Sequence, residues 1–305
     1  MTKNLLILGG TGFVGSYLAK KSINRGYSTS VISLGPPKKE KKIKQVNYIS
    51  ADVSDFYNLK ESLPNQIDYV VNLSGYIDHS SFLKGGNEVI NTHLGGLMNL
   101  LALLDWKSLK RFIQIGSSDE YGNNVAPQRE VMQSHPISPY SFSKSASNEL
   151  LLMLSRTESF PVVMLRLFLV YGPGQDDRRF LPQIIQGCLS GSTFPVSEGS
   201  QIRDFCYVDD IADGIIASLE ANSIEGELIN LASGKAKTIR SVIEFINEYI
   251  GNGKPEYGKV PYRSDENMEL FADINKTNKL LNWKPKTSFE EGITQTIDYY
   301  RRLGK

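Results

Sequence analysis

Cysteine and histidine are scarce in this 305-residue chain: Cys188 and Cys206 are the two cysteines, and His79, His93 and His135 the three histidines. Two cysteines cannot build a disulfide framework and lack the spacing of a zinc site. No two histidines stand at i, i+4 with a carboxylate between them, so no protein-bound metal is expected. Neither sign of charge is in surplus: 34 Lys+Arg against 33 Asp+Glu leave a formal net charge of +1, which argues against a nucleic-acid partner. Long apolar runs are missing as well. Nothing approaches the roughly 20 residues of a spanning helix, and Met1-Thr2-Lys3-Asn4 leads straight into Leu5-Leu6-Ile7-Leu8 without a signal-peptide pattern. No membrane partner is expected, and a reducing cytoplasm is the expected location. What is there is core: 40% hydrophobic and 22% charged residues exclude disorder. The length points to one large α/β unit or two joined lobes.

The first half alternates short aliphatic runs with helical stretches, the pattern of a parallel sheet with crossover helices. Strands are expected over residues 5–8, 29–34, 46–50, 69–73, 112–116 and 162–167, and helices over 13–24, 56–62, 87–104 and 140–156. Six such units make an α/β, doubly wound parallel sheet. Beyond Tyr171 the texture turns to Gly/Pro-punctuated segments with helices expected over 180–190, 211–221, 238–251 and 289–302, a smaller interleaved lobe.

Directly after the first expected strand stands Gly9-Gly10-Thr11-Gly12-Phe13-Val14-Gly15. Glycines there permit a tight turn, close approach of backbone to a pyrophosphate and close packing of helix on strand, while helix N-terminal amides face the anion. A dinucleotide is the expected ligand, held around Gly9, Gly12, Phe13, Val14 and Gly15. At the end of the second strand an NAD site would place a carboxylate on the ribose hydroxyls, yet the chain reads Ser33-Leu34-Gly35-Pro36-Pro37-Lys38-Lys39. Ser33 with Lys38 or Lys39 suits a 2′-phosphate, so NADP(H) is expected over NAD(H), with merely solvated lysines as the alternative.

Tyr140 and Lys144 lie four residues apart at the start of an expected helix and share a face. A free tyrosine is a poor proton shuttle near neutrality, and an ammonium beside it favours the phenolate. Ser117-Ser118 sits at the C-terminal end of an expected strand, where open α/β sheets bind ligands, and a serine there can hydrogen-bond the reacting oxygen.

On these motifs the chain resembles the extended short-chain dehydrogenase/reductase family, in its nucleotide-sugar epimerase/dehydratase/reductase branch. Asp52-Val53, Asn72-Leu73-Ser74-Gly75, Asn91, Arg166 to Pro173, Arg203-Asp204-Phe205 and Trp283-Lys284-Pro285 follow in the family's order. The resemblance implies a Rossmann sheet with a smaller substrate-binding lobe. A dinucleotide-binding domain would span 1–170 and 204–232, and a nucleotide-sugar lobe 171–203 and 233–305. It implies Asp52 and Val53 at the adenine, Leu73, Ser74, Gly75 and Asn91 along the cofactor, and Lys144 at the nicotinamide ribose. Ser118, Asp119, Glu120 and Arg203 would meet the substrate, Arg203 at its diphosphate. Each has a structural alternative: Asp52 or Asn91 capping a helix, Arg203-Asp204 pairing locally. Leu169 stands where the family often carries a substrate-contacting Asn. Ser118-Asp119-Glu120 looks like the Thr-Asp-Glu of 4,6-dehydratases, but Tyr121-Gly122 follows one residue sooner, a form more like that of 4-keto-6-deoxysugar reductases. Which of Ser117 and Ser118 meets the substrate stays open, with Ser118 favoured. The expected activity is NADPH-dependent reduction of the C4 ketone of a nucleotide-linked 4-keto-6-deoxyhexose, with Tyr140, Lys144 and Ser118 catalytic. The alternatives are a 4-epimerase or 4,6-dehydratase with tightly bound NAD+, or a non-catalytic dinucleotide sensor. The resemblance also implies a homodimer through the helices over 87–104 and 140–156.

Overall fold

The computed structural model describes residues 3–262 and 266–304. Its strands are β1 (Lys3–Leu8), β2 (Tyr27–Ser33), β3 (Asn47–Ser50), β4 (Tyr69–Asn72), β5 (Arg111–Ser117), β6 (Val162–Leu167), β7 (Leu169–Tyr171), β8 (Thr193–Pro195), β9 (Ile202–Tyr207), β10 (Leu228–Leu231), β11 (Ala236–Thr238), β12 (Lys254–Glu256) and β13 (Glu269–Leu270). Its α-helices are α1 (Phe13–Asn24), α2 (Phe56–Ser62), α3 (Gly86–Ile90), α4 (Gly96–Leu103), α5 (Pro139–Glu158), α6 (Phe180–Leu189), α7 (Val208–Glu220), α8 (Ile239–Ile250), α9 (Asn275–Leu281) and α10 (Phe289–Arg302).

Seven strands form one parallel sheet in the order β10-β6-β5-β4-β1-β2-β3. The chain starts in the middle, runs to the β3 edge and then crosses to build the other half from β4. The reversal therefore falls between β1 and β4, and the crevice at the strand C-termini there is where such sheets bind ligands. The seventh strand, β10, adds to the six expected ones; its four residues follow the helical α7 and carry little pattern of their own.

Alternation along β1 explains the two cores. Leu5 and Ile7 face Leu18 of α1 and Ile211 and Ile215 of α7. Leu6 and Leu8 face Leu59 of α2, Leu97 and Leu100 of α4 and Leu151 of α5. Each such buried aliphatic chain contributes about 1.5–3 kcal/mol. Strands covered on both faces need continuous apolar sequence, and Tyr69-Val70-Val71 supplies it. The smaller lobe packs α6, α8 and α10 around Tyr171, Phe205 and Phe289. Its sheet orders β11-β9-β13, with β7 also pairing β9, and β9 runs across the expected boundary at 203/204.

Two local features place the site. Ser138 caps α5 by accepting the Ser141 amide, and Pro139 stands in the first turn, which starts the helix immediately before Tyr140. The helix expected over 87–104 is interrupted by a π-turn, Asn91–Gly95. Such turns insert a residue and rotate the face that follows.

Candidate active site

The glycine turn is built by contact distances. Gly9 has φ +75°, and a Cβ there would lie 2.6 Å from the Leu73 carbonyl oxygen; one on Gly15 would lie 2.5 Å from that of Gly9. Neither position tolerates a side chain. Gly12 caps α1 with no side-chain hydrogen bond, so the first amides of the helix keep their donors for an anion. Phe13 and Val14 are half-buried behind them. Ser33 at the end of β2 accepts the Thr11 amide at 3.3 Å and ties the turn to its neighbour strand. Across the crevice Asn72 accepts from the Ser74 amide and hydroxyl at 3.1 and 2.5 Å and donates to Gln114 at 2.9 Å, which fixes Leu73-Ser74-Gly75 beside the turn. A bare-backbone cradle with open helix amides fits a dinucleotide pyrophosphate.

Tyr140 is 5% exposed and lies edge-on between His79 and His93, with ring centroids 5.5 Å away on each side. Its hydroxyl faces the Ser117 side chain, which favours the phenolate. Burial, with the Asp119 carboxylate nearby, holds the phenol well above its ordinary pKa, against the smaller opposing effect of Ser117. The sequence pointed to an ammonium lowering this pKa. The Lys144 nitrogen does lie 6.0 Å from the Tyr140 ring centre, but it donates to the Ile115 carbonyl at 3.0 Å, and burial dominates the tyrosine. Burial also pushes Lys144 itself down to about 8, with the Glu120 charge working the other way.

Several expected roles change. Ser117, not Ser118, meets Tyr140: it ends β5 in extended conformation and caps the 3₁₀ turn Ser118–Tyr121, while Ser118 is buried inside that turn. Glu120 is fully buried, with both oxygens committed to Ser117, Asn148 and Arg166, so it cannot contact substrate. Asp119 does border the site, 3.8 Å from His79. Asn91 is exposed at the junction where α3 ends and the π-turn begins, inside a continuous helical run and not at the start of a long helix. His93 takes the inward position: a Cβ on Gly75 would fall 2.1 Å from its ring, and its Nε2 donates to the Tyr76 carbonyl at 2.9 Å. Burial, then the Lys144 charge, push His93 down to about 3, so it is neutral. Nothing in the sequence marked it except its place two residues beyond Asn91.

Asp52 accepts the Ser54 amide and hydroxyl at 2.8 and 2.6 Å, while Asp55 is the residue that caps α2. Val53 is 8% exposed and packs beneath α4, where Asn99 holds its carbonyl at 3.1 Å. Lys38 is exposed, and Lys41 of the same run donates to the Gly174 carbonyl at 3.2 Å. Arg203 and Asp204 do not pair with each other. Arg203 binds Glu266 at 2.5 Å, and Asp204 accepts from Ser233, Gly234 and Ala272. Leu169 is 39% exposed on β7. Among the described residues no cluster of three or more His, Cys, Asp or Glu side chains could hold a metal, and no helix is long and apolar enough to cross a membrane.

A doubly wound parallel sheet whose glycine turn opens beside a buried Tyr-Lys pair and a strand-end serine defines an extended short-chain dehydrogenase/reductase. Residues 5–232 match the NAD dependent epimerase/dehydratase family, and the chain belongs to it. A UDP-N-acetyl-alpha-D-glucosaminuronate decarboxylase of Bacillus cytotoxicus is 27% identical over 322 residues, covering 99% of both chains. The UDP-glucose 4-epimerase of Thermotoga maritima, solved with UDP-glucose, superposes with a TM-score of 0.90 at 27% identity over 99% of this chain and 100% of that one. The UDP-glucose 4-epimerase of Thermus thermophilus, solved with NAD, gives 0.87 at 26% identity over 98% and 99% of the two chains.

Proposed function

We propose that this chain acts at C4 of a nucleotide-linked hexose, with Tyr140 carrying the proton of the C4 oxygen. The observation that supports it is the buried Tyr140, its hydroxyl facing Ser117 at the C-terminal edge of β5, on the side where the glycine turn opens. A nicotinamide bound in that crevice supplies a hydride acceptor and donor. Ser117 orients the sugar oxygen, Tyr140 gives or takes its proton, and the buried Lys144 ammonium holds positive charge beside the phenol. Gly9, Gly12 and Gly15 hold the pyrophosphate, and Ser74, Gly75 and His93 wall the reacting end.

In the first direction the enzyme is a 4-epimerase that retains NAD+, the reading the relatives support. The second is net reduction of a 4-keto sugar by NADPH, favoured by Ser33-Leu34 in place of a strand-end carboxylate and by a phenol held protonated as an acid. A 4,6-dehydratase would use Asp119 with Glu120, and the burial of Glu120 removes half of that pair. We also propose a homodimer through α4 and α5, which leave Met98, Phe142 and Met153 exposed. NMR of nucleotide hexoses and their 4-keto forms, with the nicotinamide accounted for, separates the directions. C4 inversion without net cofactor change marks the epimerase, stoichiometric loss of NADPH marks the reductase, and neither outcome overturns both.

A further inference from the structure

The turn after β5 carries a buried carboxylate that the chemistry above does not use. Glu120 is fully buried. Its Oε1 accepts the Ser117 backbone amide at 2.8 Å, and its Oε2 accepts Asn148 Nδ2 at 2.7 Å and Arg166 Nε at 2.8 Å. The guanidinium is held in turn: Nη2 donates to Ser134 at 2.6 Å, and its carbon lies 4.4 Å from the centre of the Tyr121 ring. The carboxylate reaches the strand because residue 116 is glycine, where a Cβ would fall 2.4 Å from Oε1.

Asn148 stands four residues after Lys144 and eight after Tyr140, so the three make one stripe on α5. Two stations of the stripe are tied to the end of β5 or the turn beyond it, Lys144 to the Ile115 carbonyl and Asn148 to Glu120, and the third, Tyr140, faces the Ser117 side chain. The same carboxylate therefore grips the helix that carries the tyrosine and the backbone of the serine that meets it.

We propose that Glu120 is a positioning residue: clamped by Arg166 and Asn148, it fixes Ser117 against Tyr140 and locks the register of α5 on β5. The Ser-Asp-Glu run is then a strut and not an acid–base pair. This rests on Tyr140 and Ser117 being the reacting pair. A glutamate inside a sheet end is otherwise costly, and it is kept here because both its oxygens accept hydrogen bonds, one of them from a guanidinium.

Glu120→Gln tests it. The amide can accept on only one side, so its NH2 opposes either the Ser117 amide or the donors of Asn148 and Arg166. Loss of alignment between reacting groups costs about 10²-fold in kcat, with KM and cofactor affinity little changed. In a Ser117→Ala background the same change adds little, because the group being positioned is gone. A wild-type kcat for Glu120→Gln, or a full multiplicative loss on top of Ser117→Ala, overturns the proposal. Glu120→Leu/Arg166→Met replaces the pair by apolar chains and is expected to stay folded by circular dichroism yet remain slow; recovered turnover would mean that the pair serves stability alone. A crystal structure of Glu120→Gln needs no substrate: the Ser117 side chain is expected to shift relative to Tyr140, and an unchanged position overturns the proposal. Absence of any hexose turnover by the wild type sinks the C4 reading and leaves the crystallographic comparison to decide this one.

Discussion

Tyr140→Phe removes one oxygen from a ring that is 5% exposed and wedged between His79 and His93 at 5.5 Å. The phenyl ring fills the same space, so the stability cost is the lost polar contact of the hydroxyl with the Ser117 side chain it faces, about 1 kcal/mol at most. For a chain of this size that lowers Tm by about 2 °C. Chemistry suffers far more. A positioned acid–base group contributes roughly 10²–10⁴-fold, or about 3–5 kcal/mol of barrier. The glycine turn is untouched, so cofactor affinity should hold. The assay is turnover of the active nucleotide hexose under saturating cofactor, beside a cofactor titration and a melting curve. Turnover within tenfold of wild type would refute the assignment of the proton to Tyr140. A melting point lowered by far more would mean that the tyrosine acts through folding.

Ser117→Ala is expected to lose about 10²-fold in kcat, while Ser118→Ala stays near wild type; the reverse order in the same assay would restore Ser118 as the reacting serine. Gly15→Ala forces a Cβ to 2.5 Å from the Gly9 carbonyl oxygen and should weaken cofactor binding at least tenfold, about 1.4 kcal/mol, by fluorescence titration. Unchanged affinity would place the pyrophosphate elsewhere. Burial pushes Lys144 down to about 8, and an amine is charged below its pKa, so kcat/KM should fall as pH rises through about 8. Lys144→Arg, charged throughout, should be slower overall but free of that fall; a fall that persists would belong to another group.

The glycine turn, the Tyr140-Lys144 pair and six of the sheet strands were legible because each rests on spacing within a dozen residues: a tight turn, one helical turn, a strand period. What was hidden depends on contacts between distant segments. Glu120 reads like its acidic neighbour Asp119, and only Arg166 and Asn148, from β6 and α5, show that it points inward. The π-turn has no composition of its own, so the expected helix ran unbroken through Asn91, while in the structure the turn brings His93 inward. That Arg203 pairs with Glu266, 63 residues away, could not be read from sequence either. Ser117 and Ser118 differ by one position at a strand end, where a single step reverses the face.

The fate of the hydrogen at C4 is the most direct check on the central claim. Deuterium placed at C4 of a nucleotide hexose, or on reduced nicotinamide offered with the 4-keto sugar, should end at C4 of the product by NMR, with a primary isotope effect on turnover. Product whose deuterium is lost to water, or which forms while the C4 label is never broken, would contradict it.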